Sequence, residues 1–228
     1  MRPGKTRKKI PTLAFVVDGE TEVWYLQMLK RNEEKFNNLR INIKPEIPQK
    51  KKLDDQFNLV IEQAKSEYDK VFWIVDLDVV LKETRESKSD DTPLKEFLSF
   101  LHELENPNIK KEKEIYSKVK VIVNNPCLEY WFLLHFEPSG KSYRTCAEVE
   151  PKLKIHLKGY EKSQRYFKKR DLDIYTRLKP YLGNAIINAS SLGDFNTDFP
   201  EKGICEMNKL FLCDELKDHF KQFLLETK

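Results

Sequence analysis

Two groups of carboxylates, each directly after a run of apolar residues, are the side chains with the clearest chemical potential in this chain. Residues 18–22 (Asp-Gly-Glu-Thr-Glu) follow the apolar run 13–17, and Asp76 and Asp78 follow the apolar run 71–75. A short apolar run that ends in polar residues predicts a strand buried on both faces of a parallel sheet. In open α/β sheets, chemistry takes place in the crevice beyond the carboxyl ends of the strands. We therefore expect both groups to converge on one site for a hard cation.

Asp76 and Asp78 are the best candidates for metal ligands. Residues i and i+2 of an extended segment point to the same side, so both carboxylates can face one cation. Mg²⁺ prefers oxygen ligands and commonly uses one or two carboxylates together with water and substrate phosphates. An equally weighted interpretation makes the two residues an N-cap and a turn residue after a strand, since Asp is common in both positions.

The first group packs three carboxylates into five residues. Asp18, Glu20 and Glu22 repel one another unless solvent, a helix N-terminus or a cation offsets their charge. Gly19 permits a sharp turn after the strand, and Thr21 is a candidate N-cap for the helix that follows. Glu20 and Glu22 also fit the first turn of that helix, where acidic residues are favoured without any chemical role.

The apolar pattern predicts a β-α-β-α-β-α-β-α order in the first part of the chain, hence an α/β fold with a mostly parallel sheet and flanking helices. We place a basic arm over residues 1–11, the α/β domain over 12–138 and a helical extension over 139–228. The predicted strands are 12–17, 41–47 (at a sheet edge), 71–75 and 119–123. The predicted helices are one after Thr21, then 54–68, 93–101 and 128–136, followed by 145–158, 171–191 and 203–225 in the extension. Residues 82–92 are entirely polar and predict a loop.

Composition sets the outer limits on function. The chain has 228 residues, 39% of them apolar and 34% charged, with a net charge of +4. No apolar segment is long enough to span a bilayer, and the P-loop, nucleophile-elbow and zincin motifs are absent. The four cysteines are Cys127, Cys146, Cys205 and Cys213. Their spacing fits no zinc finger, so we expect all four to be reduced thiols packed in the core, and the protein to be cytoplasmic.

A basic segment lies in the second part of the chain. Residues 141–170 hold ten Lys or Arg against three Glu, with aromatic residues interleaved. Basic side chains neutralise phosphates and aromatic faces stack on unpaired bases, so the segment suits single-stranded nucleic acid or RNA. We choose Lys162, Arg165 and Lys168 for phosphate contacts, and Tyr160 for stacking or packing. A solvated basic helix face explains the same composition.

Three stretches of the chain resemble the RloB-like family. They are Val-Val-Asp-Gly-Glu-Thr-Glu at 16–22 with the following Trp-Tyr-Leu, Val-Asp-Leu-Asp at 75–78, and the most specific one, Asn-Pro-Cys-Leu-Glu-Tyr-Trp at 125–131 through Leu-His-Phe at 134–136. Tyr-Glu-Lys at 160–162 resembles a further family motif. RloB-like proteins are similar to Toprim proteins, whose Rossmann-like domain serves topoisomerases, primases and nucleases. The resemblance therefore implies a Mg²⁺-dependent (or Mn²⁺-dependent) hydrolase of nucleic acid in phage defence by abortive infection.

The resemblance also implies roles for single residues. Asp76 and Asp78 match the metal-binding Asp-x-Asp, and Glu22 matches the second acid of the first motif. Asp18 stands where the family has the Glu that serves as general acid or base, which puts efficient catalysis in doubt because the side chain is one methylene shorter. Glu129 belongs to the most specific motif and is expected beside the metal.

Two other functions stay open at this point. One is a nucleic-acid-binding module whose carboxylates hold a structural cation, and the other is a protein-interaction subunit that depends on a partner from a defence locus. An oligomer fits either. His135, among Leu and Phe, is expected in the core or as a helix cap.

Overall fold

The computed structural model describes residues 10–37, 40–44, 52–107, 110–138 and 143–225. Most of the basic arm predicted over residues 1–11 lies outside the described residues. The strands are β1 (Thr12–Val16), β2 (Arg40–Lys44), β3 (Lys70–Asp76), β4 (Val119–Asn125) and β5 (Ile204–Cys205). The helices of the first part are α1 (Glu20–Asn37), α2 (Leu53–Lys65), α3 (Leu77–Glu86), α4 (Pro93–Glu105), α5 (Lys110–Tyr116) and α6 (Leu128–Leu134). Those of the second part are α7 (Cys146–His156), α8 (Gln164–Phe167), α9 (Ile174–Leu178), α10 (Leu182–Leu192), α11 (Asn208–Leu212) and α12 (Lys217–Leu225).

The five strands form one sheet in the order β2-β1-β3-β4-β5, and only the β4–β5 pair is antiparallel. This confirms the predicted α/β fold, with β2 at an edge. The crossovers bring the carboxyl ends of β1, β3 and β4 to the same border of the sheet, since these strands run in parallel. The polar residues that follow them in sequence are therefore neighbours in space.

The alternation of side chains along the strands builds a core on each face of the sheet. Phe15 and Phe72 stack on one face, with their ring centroids 5.0 Å apart, beneath α1, α6 and the helices of the second part. Trp73 lies on the other face among the apolar residues of α2, α3 and α4, where its indole N–H donates to Gln56 Oε1 (3.0 Å). Burial on both faces is why these strands are continuous apolar runs.

The second part of the chain packs directly on α1. Arg31 pairs with Asp173, and the Lys179 ammonium lies 2.7 Å from Glu33 Oε1. Tyr175 donates its hydroxyl to the same Glu33 oxygen at 2.8 Å. These contacts between polar groups lie at the border of the apolar core and fix the helical extension against the sheet domain.

Three predictions about local structure are wrong, and one short strand is not predicted at all. Thr21 is no N-cap, because α1 already begins at Glu20. The polar run 82–92 is helical up to Glu86, because the apolar side chains of α3 pack on the sheet while its polar ones face outward. Residues 203–225 form no single helix but contain β5, α11 and α12. Strand β5 has only two residues, too few for a periodicity to be visible in sequence.

Candidate acidic site at the strand ends

Asp76 is the last residue of β3 and stands at the centre of the site. Its register partner in β4 is Asn124, whose side-chain amide donates to Asp76 Oδ1 (3.2 Å). The backbone N–H of Leu128, the first residue of α6, donates to Asp76 Oδ2 (3.1 Å). Two neighbouring elements therefore fix the orientation of this carboxylate.

Asp78 lies close to Asp76, although not for the predicted reason. It occupies the first turn of α3 rather than an extended segment, so the expectation that both residues project from one strand is wrong. Its backbone N–H donates to the carbonyl oxygen of Pro126 (3.1 Å). Its Oδ2 accepts from the backbone N–H of Cys146 (3.4 Å). Asp78 is thereby held between α3 and the start of α7.

Glu22 reaches the same place from α1 and is only 5% exposed. The hydroxyl of Thr21 donates to its carboxylate (3.1 Å to Oε1). The absence of a side chain at Gly19 makes room for it, because a Cβ there would lie 2.2 Å from Glu22 Oε2. Glu22 is close enough to Asp76 for the two carboxylates to interact, whereas Glu20 is exposed.

Glu129, in the first turn of α6, completes the cluster and is 1% exposed. Its Oε1 accepts from the hydroxyl of Tyr160 (2.8 Å) and lies 3.1 Å from the ammonium of Lys162. That ammonium also lies 3.3 Å from Glu150 Oε1. Two residues of the predicted basic segment thus belong to the acidic site itself.

In this acidic site (Glu22, Asp76, Asp78 and Glu129), four carboxylates lie close together with limited access to water, since Glu22 and Glu129 are buried and Asp76 and Asp78 are half-buried. Burial raises the pKa of Asp76 well above its ordinary value of 3.8, and the charges of Glu22 and Glu129 raise it further. Burial and the charge of Glu129 likewise raise the pKa of Glu22 above 4.5. Burial also raises the pKa of Asp78. Perturbed carboxylates of this kind are typical of functional sites.

Lys162 offsets part of this negative charge. Although burial lowers it, the charges of Glu129 and Glu150 raise the pKa of Lys162 above its ordinary value of 10.5. The ammonium also opposes the rise of the pKa of Asp78. One cation among four carboxylates leaves the acidic site with room for additional positive charge.

A cavity of about 240 Å³ opens on the other side of Asp76. Its lining includes the carboxylates of Asp18, Asp76 and Glu83 and the side chain of Lys52. Asp18 is half-buried at the end of β1. Asp76 therefore separates two environments, the buried cluster with Glu22 and Glu129 and an open cavity that Asp18 borders.

Cys127 and Cys146 form a disulfide, with their Cα atoms 5.8 Å apart. This contradicts the prediction that all four cysteines are reduced. Cys127 directly precedes α6 and Cys146 is the first residue of α7. The packing of these helices brings together two side chains 19 positions apart, a separation without a signature in sequence. Cys205 and Cys213 are free, and Cys205 packs in the core as predicted.

The rest of the basic segment is arranged differently from its prediction. Arg165 is exposed and Lys168 is half-buried. The aromatic residues are instead buried in the core, so they present no stacking surface to a base. They are Tyr143, Tyr160, Tyr166 and Phe167. For Tyr160, packing is the role that the structure supports.

Three further polar residues near the acidic site have structural contacts. The amide of Asn125 donates to the carbonyl oxygens of Pro200 (3.2 Å) and Lys202 (2.9 Å), which holds the loop before β5. Asn124 orients Asp76, as described above. His135 is fully buried and its Nδ1 lies 2.9 Å from the carbonyl oxygen of Trp131. Burial lowers the pKa of His135 to about 3, so a neutral core histidine is confirmed.

The donor set fits a hard cation that keeps much of its water. Within the described part of the chain, Asp76 and Asp78 belong to no group of three ligand atoms that all lie within 4.8 Å of one another. Such a group does exist next to them, formed by Cys127, Glu129 and Cys146. Mg²⁺ does not require an all-protein cage, since it commonly binds one or two carboxylates and retains several waters. Asp76 and Asp78, with Glu22 beside them, fit that mode.

The described helices include none of the length and apolar character that a membrane crossing requires. Fold and site together define an α/β protein with a carboxylate cluster at the carboxyl ends of a mostly parallel sheet. The sequence model of the RloB-like protein family matches residues 13–211, and the chain belongs to that family. Comparisons with curated proteins and with solved structures found no match.

Proposed function

We propose that this protein is a Mg²⁺-dependent nuclease that hydrolyses phosphodiester bonds in nucleic acid. The observation that carries the proposal is the convergence of four carboxylates from α1, β3, α3 and α6, of which Asp76 also lines an open cavity. Folding alone gives no reason to bury like charges together, because each raises the cost of ionising the others. A bound divalent cation would neutralise the repulsion among these carboxylates, and it would in turn bind a phosphate group.

Asp76 and Asp78 would hold Mg²⁺, with Glu22 close enough to complete the site or to bind one of its waters. When bound, the ion polarises a phosphate oxygen and neutralises the charge that develops in hydrolysis. Asn124 and the N–H of Leu128 keep Asp76 in place. Such fixed orientation matters because a misplacement of about 1 Å can cost about a hundredfold in rate.

Two further side chains would act on the nucleic acid directly. Asp18 borders the cavity, where its carboxylate would take the proton of an attacking water. Lys162 has a side chain 39% exposed beside the acidic site, where its ammonium would contact a phosphate oxygen. Arg165 and Lys168 would extend this contact along the backbone.

Membership of the RloB-like family supports a role in defence against phage, because the family is associated with phage resistance. Nuclease activity suits that role, since cleavage of invading or host nucleic acid stops phage replication. A partner protein from the same defence locus would then control when the enzyme acts.

One observation favours a second function, a nucleic-acid-binding module without cleavage. Lys162 already gives Glu129 an internal cation, and Asp18 supplies a shorter side chain than the Glu expected there. In that case the acidic site would hold a structural ion while the basic segment binds the backbone. The two functions differ in what the loss of Asp76 does.

The test is cleavage of single-stranded DNA, duplex DNA and total bacterial RNA by the purified protein with Mg²⁺, Mn²⁺ or EDTA. We expect metal-dependent cleavage of one substrate, lost in Asp76→Asn and retained in Asp198→Asn, which removes an exposed carboxylate. Binding of the same substrate should survive in Asp76→Asn. Binding without cleavage by the wild-type protein in every arm would favour the binding module and contradict the nuclease.

A further inference from the structure

The Cys127–Cys146 disulfide lies next to the Glu129 carboxylate but cannot donate a hydrogen bond to it. Cys146 Sγ lies 2.9 Å from Glu129 Oε2, and a sulfur in a disulfide carries no hydrogen. The other oxygen, Glu129 Oε1, is the one engaged by Tyr160 and Lys162. Oε2 is thus directed at the sulfurs in a contact that is no hydrogen bond in the oxidised protein.

The three side chains have the donor set of a zinc site once the sulfurs are reduced. Both Sγ atoms and a Glu129 oxygen lie within 4.8 Å of one another. Zn²⁺ binds sulfur at about 2.3 Å and carboxylate oxygen at about 2.0–2.2 Å, so neighbouring ligands in a tetrahedron are about 3.3–3.8 Å apart. Small side-chain rotations are enough to bring the group to these separations.

The charges around the group also suit zinc. Two thiolates and one carboxylate carry three negative charges, of which Zn²⁺ cancels two. The ammonium of Lys162 lies 3.2 Å from Cys146 Sγ and 3.1 Å from Glu129 Oε1, and it supplies the third positive charge. A neighbouring cation favours thiolates, and thiolates select zinc over Mg²⁺ because they are soft ligands.

We propose that reduction of the Cys127–Cys146 disulfide creates a Zn²⁺ site formed by Cys127, Cys146 and Glu129, with water in the fourth position. Two molecules of a low-molecular-weight thiol supply the two electrons. The S–S bond breaks, each cysteine gains a proton, and the two small thiols leave joined as their own disulfide. Binding of Zn²⁺ then releases both cysteine protons.

The zinc site stands independently of nuclease activity, but its consequence rests on the proposed function. Glu129 is the charged neighbour of both Glu22 and Asp76. A zinc ion on Glu129 would change the charge of the acidic site and place a second cation next to the Mg²⁺ ligands. We expect zinc to inhibit cleavage by the reduced protein and to leave the oxidised protein unaffected.

The experiment is a titration of the full chain with Co²⁺, a spectroscopic substitute for zinc. The protein is reduced with dithiothreitol, which is then removed under nitrogen, and compared with the untreated oxidised protein. The reduced protein should bind one Co²⁺ with a thiolate-to-cobalt charge-transfer band that Zn²⁺ abolishes, and the oxidised protein should show no band. Absence of the band in the reduced protein would overturn the proposal.

Variants and a chemical readout assign the ligands. Cys127→Ser and Cys146→Ser should lose the band, Glu129→Gln should weaken binding by at least about tenfold, and Cys213→Ser, which removes a cysteine outside the group, should behave as wild type. Alkylation of the reduced wild-type protein needs no variant: zinc should protect Cys127 and Cys146 and leave Cys213 reactive. Protection of other cysteines instead would contradict the assignment. A normal titration in a protein that cleaves nothing would refute only the proposed function.

Discussion

Two carboxylates flank strand β4, the buried Glu206 and the half-buried Asp76, and they have opposite surroundings. Glu206, directly after β5, accepts from the backbone N–H groups of Val123 (3.0 Å) and Phe195 (2.9 Å) and lies 2.6 Å from the ammonium of Lys209. Asp76, at the end of β3, accepts two neutral donors and faces Glu22 and Glu129. Among the described residues, no Lys or Arg forms an ion pair with Asp76. The folded chain gives Glu206 a positively charged partner, whereas it gives Asp76 only neutral hydrogen-bond donors and leaves its negative charge to be balanced by a bound cation.

The difference teaches where to look for chemistry in a chain with 34% charged residues. Burial alone does not mark the functional group, since Glu206 is the more buried of the two at 4% exposed and Asp76 is half-buried. The surroundings do: a paired carboxylate stabilises the structure, while a cluster of like charges costs stability and is retained for binding or catalysis. Substitutions on the two sides of β4 should therefore change different properties.

The largest effect is expected from Asp76→Asn. If the proposed function is right, cleavage should fall by at least about a hundredfold, because the substitution removes a proposed metal ligand and its charge from the centre of the site. The free energy of unfolding should change little, because the lost repulsion with Glu22 and Glu129 offsets the one hydrogen bond that the amide can no longer accept. Rates and urea denaturation of the same preparation measure both quantities. A variant that cleaves normally, or one that is markedly less stable, would remove the contrast with Glu206.

Glu206→Gln is expected to give the reverse result. The amide cannot accept from all three donors, so the free energy of unfolding should drop by about 1.5–3 kcal/mol, the range for hydrogen bonds to a charged group. Cleavage below the unfolding temperature should stay near the wild-type rate. The matched control is Glu201→Gln, whose carboxylate makes an exposed contact of 3.9 Å with Arg85 and should contribute little.

The sequence predicts the position of the carboxylates at the strand ends but not the partners that distinguish Glu206 from Asp76. Apolar runs ending in acids place Asp18 and Asp76 at the strand ends, because burial on both faces of a parallel sheet demands such runs. The sequence motifs likewise single out Glu22 and Glu129. Strand β5, and with it the partners of Glu206, leaves no signal because two residues have no period.

The contacts around Glu129 are missed for a related reason. Tyr160, Lys162 and Cys146 come from the second part of the chain, and their spacing from Glu129 reflects how α7 packs on α6. The interleaved aromatic and basic residues predict a nucleic-acid surface, yet most of the aromatics complete a core. Composition cannot tell these outcomes apart, since an aromatic residue beside a lysine suits a surface and a core border equally well.

A smaller effect is expected from Gly19→Ala. The new Cβ would lie 2.2 Å from Glu22 Oε2 and would therefore displace the Glu22 carboxylate. Since the clash is with the end of a side chain, stability should fall by less than about 1 kcal/mol, while cleavage should fall about tenfold, equivalent to about 1.4 kcal/mol. In a Glu22→Ala background the same substitution should have no further effect. An additive loss there would mean that Gly19 serves the backbone and not the site.

The smallest effect is expected in the pH dependence of the free energy of unfolding, which Mg²⁺ should suppress. The pKa values of Glu22 and Asp76 are raised in the folded protein from ordinary values of 4.5 and 3.8, so the folded state holds protons that the unfolded state has lost. In EDTA, the free energy of unfolding should therefore fall as pH rises from these ordinary values through the raised pKa values of the folded protein. Glu22→Gln removes one titrating group and one repelling charge, so its curve should be flatter than that of the wild-type protein. Mg²⁺ binds the ionised carboxylates and should restore wild-type stability most at the alkaline end. Urea denaturation across this range measures both curves, and parallel curves would show that Glu22 is satisfied like Glu206.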